Sequence, residues 1–115
     1  MVRLLLNFYR TTVLQIIDFS EILEENKKFI IARQILKSGT SIGANIREAQ
    51  NAESKEDFIH KIKIAAKEAD ETEYWLMLCK ASKNYPNSEE LIERLNEIIK
   101  ILSKIISTTK KNLMT

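Results

Sequence analysis

The chain has 115 residues, 44% hydrophobic and 30% charged, with a formal net charge of +2 at pH 7. That length suits one domain, residues 1–115, able to bury a core without staples, and the balance is that of an ordinary soluble protein. Two glycines and one proline are too few for an all-β protein, one cysteine excludes an intrachain disulfide, and one histidine excludes zinc clusters and paired-histidine sites.

No apolar run approaches the roughly 20 residues of a membrane span. The stretch "MVRLLLNFYR" has neither the long apolar region nor the cleavage site of a signal peptide, so a reducing cytoplasm is the expected setting.

The first element reads as a helix with the stripe Leu5, Tyr9, Thr12, Ile16, Phe19 and Leu23, widened by Leu6, Val13 and Ile17. "EEN" at 24–26 is expected to turn the chain, with Asn26 capping a second helix. In that helix Phe29, Ala32, Ile35 and Leu36 set a helical register. The register carries forward through "SGTSIGANIREAQ", residues 38–50, and puts Gly39, Ile42, Gly43, Ile46 and Ala49 on one side. Ser38, Ser41, Asn45 and Glu48 then form a polar stripe. A loop would not sort its residues in this way. Each glycine costs roughly 1 kcal/mol in helix propensity, which makes sense where a neighbouring helix approaches closely. A phosphate-cradling loop needs a preceding strand and a Lys after the last glycine, and neither is present.

The third element carries an a/d seam of Phe58, Ile62, Ala65, Ala69, Thr72, Leu76 and Cys79. Ser54 is placed as its N-cap with Asp57 at N3, and the helix must fail before Pro86. The fourth should open with Asn87 as N-cap and Glu90 at N3. Leu91, Leu95, Ile98, Leu102 and Ile105 form its seam, flanked by Ile92, Ile99 and Ile106. The expected fold is therefore all-α, an antiparallel up-down-up-down four-helix bundle. At 1.5 Å per residue it would be about 30–38 Å long.

Bundles of this kind often hold di-metal sites, but the only acid–histidine pair here is Asp57 and His60, so no metal or cofactor is expected. Glu68 and Glu71 lie one turn apart with Trp75 a turn beyond. The reading adopted for them is structural: Ser41 and Asn45 donate hydrogen bonds to the two glutamates, fixing register or a contact between subunits. Ser41 has no imidazole partner except His60, and Cys79 sits at a seam position as a small buried hydrophobe. No catalytic residue is assigned, and the chain is expected not to be an enzyme.

Charge is unevenly spread. Residues 1–26 carry Arg3 and Arg10 against Asp18, Glu21, Glu24 and Glu25, a balance of −2. Residues 27–52 carry Lys27, Lys28, Arg33, Lys37 and Arg47 against Glu48, a balance of +4. Lys27, Lys28, Arg33 and Lys37, helped by Lys110 and Lys111 in the tail, are the candidate contacts for RNA. The rival reading is a protein-interaction module that binds no nucleic acid.

Residues 38–76, "SGTSIGANIREAQNAESKEDFIHKIKIAAKEADETEYWL", resemble the four-helix-bundle proteins encoded in intervening sequences of 23S rRNA genes, also called S23 ribosomal proteins. The shared pattern is carried by Ser41 to Ala49, by Ser54 to Phe58, and by Lys63 through Leu76. A looser similarity extends to the accessory variability proteins of diversity-generating retroelements. The resemblance implies a bundle that assembles as a homopentamer and has no established enzymatic activity. Through the retroelement relatives it implies work with RNA or an RNA-processing protein. Apolar stripes in excess of one four-helix seam point the same way, to self-association. In such an assembly Ser41, Asn45, Glu48, Glu68, Glu71 and Trp75 are the expected structural or interface motif.

Overall fold

A computed structural model describes the backbone of residues 2–114 and the side chains of residues 5–113. Among the described residues the chain forms α1 (Val2–Glu25), α2 (Phe29–Gln50), α3 (Lys55–Ala81) and α4 (Glu89–Met114). Each helix packs on its neighbours in the ring order 1-2-3-4, so the topology is the up-down-up-down bundle that the short connections require. It extends 52 × 21 × 21 Å, longer than the expected 30–38 Å. The longest helix spans only about 40 Å, so the excess reflects helices offset along the axis.

The core follows the predicted seams. Ile16, Leu23, Ile35, Ile42, Ile46, Ile62, Leu76, Leu95, Ile98 and Leu102 are fully buried. "SGTSIGANIREAQ" is helical throughout, with Ser38, Gly39, Ile42, Ile46 and Ala49 buried. Its glycines face α1. A Cβ at Gly39 would lie 2.6 Å from Ile16 Cγ2, whereas one at Gly43 would meet Tyr9 at an ordinary 3.4 Å. The close approach therefore belongs to Gly39.

Two helix starts differ from expectation. Asn26 does not cap α2; its amide donates to the Ile22 carbonyl at 2.8 Å, closing the end of α1. Lys27 NH bonds Glu24 O and Lys28 NH bonds Leu23 O, while Lys27 adopts φ 64°, which together make a Schellman turn. The turn takes up residues through Lys28, so α2 begins at Phe29. At α4 the Asn87 side chain accepts from Glu89 NH at 3.0 Å, and the helix begins at Glu89, one residue later than a cap at Asn87 implies. Ser54 accepts from Asp57 NH at 3.0 Å, as its spacing predicts.

Candidate functional site

The polar stripe of α2 splits when it meets α3. Ser38 and Thr72, both fully buried, face each other across the two helices. Thr72 donates to Ser38 Oγ at 2.7 Å, and Ser38 donates to the Gln34 carbonyl at 3.0 Å. Both buried hydroxyls thus have a partner, which is the condition for burying them cheaply. Farther along the stripe, Glu48 reaches Lys61 on α3 at 3.5 Å.

Ser41 and Asn45 do not donate to Glu68 and Glu71. Asn45 bonds back along its own helix, to Ser41 O at 2.9 Å and Ser41 Oγ at 3.1 Å. Glu71 is exposed and accepts from Trp75 Nε1 at 3.4 Å, while the Glu68 backbone carbonyl lies 2.8 Å from Thr72 Oγ1. The polar contacts between α2 and α3 are thus Ser38 with Thr72 and Glu48 with Lys61, and the expected four-residue network is replaced by short local bonds. The physical reason is length: Asn finds the carbonyl four residues back before it can span to another helix.

Two anchors were missed in the sequence. Arg94 reaches from α4 to α1, its Nε 3.0 Å from Thr12 Oγ1 and its guanidinium carbon 4.3 Å from the Phe8 ring centroid. Buried Ser88 donates to the Leu76 carbonyl at 2.9 Å, tying the start of α4 to the last turns of α3. Arg94 interrupts an apolar seam at i+3 from Leu91, a signal that was there to be read; Ser88 gave none.

Among the described residues no group of three or more His, Cys, Asp or Glu side chains could hold a metal ion, and His60 is exposed. Cys79 is 1% exposed. Burial pushes its thiol up to about 11, so at neutral pH it is a protonated core side chain. No helix among the described residues is long and apolar enough to cross a membrane.

The surface is more informative than the interior. At the end of the bundle that holds the α1–α2 turn, a groove of about 450 Å³ is lined by Lys27, Lys28, Phe29, Ile30, Ile31, Trp75 and Tyr85. Lys28 caps it, its ammonium 4.8 Å from the Tyr85 ring centroid. Ile30 is 82% exposed, and Phe29, Tyr74 and Leu78 are exposed as well. Lys27 and Lys28 line it, and Arg33 and Lys37 are exposed farther along α2, so four of the six proposed RNA contacts lie on that helix or just before it. Because α4 starts at that end and runs away from it, Lys110 and Lys111 lie toward the opposite end, where Lys110 meets Lys63 of α3. Hydrogen bonding to Lys110, and then its charge, lower the Lys63 pKa from its usual value. The six basic residues therefore form two separate patches.

The fold and surface define a class first: an antiparallel four-helix bundle whose conspicuous features are its packing and its outer faces. Within that class, residues 9–105 match the family model of the 23S rRNA-intervening sequence protein, and the chain belongs to that family. It is similar to the crystal structure of a protein of unknown function from the S23 ribosomal protein family of Bacteroides thetaiotaomicron VPI-5482, with 42% identity and a TM-score of 0.84 over 89% of this chain and 97% of that one. No curated protein matches the chain.

Proposed function

We propose that the chain is a non-enzymatic assembly unit that works as a homo-oligomer. The observation that carries this reading is the concentration of large exposed apolar side chains near one end of the bundle: Phe29 at 55%, Ile30 at 82% and Tyr74 at 56%. Scattered apolar residues on a monomer need no explanation, but a contiguous patch with a charged rim marks an interaction surface. Five copies is the number implied by the resemblance to the intervening-sequence proteins. Light scattering at micromolar concentration tests it. A mass five times 13.3 kDa is expected, and a monomer defeats the reading.

RNA association is the second reading, favoured by the meeting of Lys63 and Lys110. Two ammonium groups held together repel, and a phosphate placed between them removes that repulsion. This shifts the expected contact from the Lys27–Lys37 set to the Lys63, Lys110 and Lys111 end. Lys63→Gln with Lys110→Gln should weaken binding of single-stranded RNA and flatten its salt dependence by roughly 0.7 per lost phosphate contact. Equal affinity with and without these changes leaves assembly alone as the function.

A further inference from the structure

Where α1 turns into α2, the start of α2 and the last turns of α3 frame the groove of about 450 Å³. Its floor is Ile31, Trp75 and Tyr85, half-buried side chains packed against the core, so one chain builds it alone. The exposed Phe29 and Ile30 stand at its rim. Trp75 is held on two sides: its Nε1 donates to Glu71 at 3.4 Å, and the Tyr74 ring meets it edge-on with centroids 5.1 Å apart. An indole fixed in this way is a platform on which another flat ring can stack. The charged groups lining the groove are Lys27 and Lys28, and no acid lines it. Lys28 is half-buried with its ammonium over Tyr85, which holds that charge in place. Glu24, Glu25 and Glu71 are exposed nearby and form no part of the lining. No side chain caps α2 and its first turn holds no acid, so the positive end of the helix dipole adds to the two ammonium groups.

We propose that this groove binds a nucleoside monophosphate, with the base against Trp75 and the phosphate at Lys27, Lys28 and the start of α2. Two cations beside the backbone amides of an uncapped helix start favour a dianion over a single carboxylate, and a phosphate monoester carries close to two negative charges at neutral pH. The apolar floor favours a flat ring as the rest of the ligand. Size favours a nucleoside over a lone phenyl ring: the groove falls within the ~300–1,000 Å³ range of small-molecule sites, and a single six-membered ring would leave much of it unfilled. The site is separate from Lys63 and Lys110 at the other end, and it requires no second copy of the chain.

Trp75 is the only tryptophan in the chain, so its fluorescence reports on this groove alone. Adenosine monophosphate should quench it saturably in the wild-type protein. Adenosine and inorganic phosphate should each bind at least about tenfold more weakly, because each lacks one half of the contact. Lys27→Gln with Lys28→Gln should weaken the nucleotide about tenfold, keep the helical circular dichroism and leave adenosine unaffected. Lys63→Gln with Lys110→Gln should change none of these. Absence of both quenching and calorimetric heat with the nucleotide overturns the inference. Adenosine or inorganic phosphate binding as tightly as the nucleotide overturns it as well, on wild-type protein and whatever the variants do. Phenyl phosphate matching the nucleotide overturns the nucleoside assignment, and equal losses in the two lysine pairs put the attraction in net charge instead of the groove. An oligomer that binds no nucleotide overturns this site and leaves assembly standing, and a monomer that binds it does the reverse.

Discussion

Along its α2 flank, α1 comes so near that Ile16 Cγ2 fills the place where a Gly39 side chain would begin. Along its α4 flank the helices stand farther apart, and the space is bridged by Arg94 reaching to Thr12 and lying over Phe8. The first contact is steric and short, made by the absence of atoms. The second is long and polar, made by a side chain with an apolar stem and a planar charged end. A bundle of four similar helices thus has one flank where Gly39 tolerates no added atom and another bridged by a reaching side chain. Surface grooves lie between α1 and α4 and at the two ends of the bundle.

The sharpest way to break this contrast is Gly39→Ala. Ile16 is fully buried and has nowhere to move, so overpacking should cost about 2–3 kcal/mol, read as a lower urea midpoint at unchanged m-value. Arg94→Met keeps much of the stem and removes the bond to Thr12. A loss of about 1–2 kcal/mol is expected, and a fully wild-type melt would mean that the α4 flank is held by packing alone. Thr72→Val probes the α2–α3 side, where it leaves Ser38 without its donor while preserving shape. A loss of about 1 kcal/mol is expected, and Ser38→Ala added to it should cost little more.

Gly43→Ala should act in the opposite direction. Its new Cβ meets Tyr9 at van der Waals distance, so the helix-propensity gain of about 0.5–1 kcal/mol is expected to survive. If Gly39 and Gly43 responded alike, the close approach would not be local to Gly39. The smallest effect at neutral pH belongs to Cys79. Its folded pKa is raised from 9.0 to about 11, so its contribution to stability is intact below pH 9 and fades as pH rises toward 11. A thiol reagent at pH 8 should label it only as fast as the protein unfolds.

Much of this was legible in the chain. Period-3.5 and period-3.6 stripes marked the four helices because burial on one side of a helix leaves that spacing. Ser54 with Asp57 marked one start because the capping bond is made within four residues. Even the tight glycine step could be recognised, though not which glycine was indispensable, since that depends on where Ile16 falls on another helix.

What the sequence determined by itself, then, was the local and the periodic: helix number, the buried faces, the class of bundle and the resemblance that the family match bears out. What only the tertiary structure decided was which side chains meet across helices. Asn45 turned to its own helix instead of Glu71, Asn26 closed α1 instead of opening α2, and Arg94 crossed to Thr12. It also decided that Lys27 and Lys110 lie toward opposite ends. Such pairings depend on helix rotation and axial offset, which many residues fix jointly through packing and which no short stretch of sequence encodes.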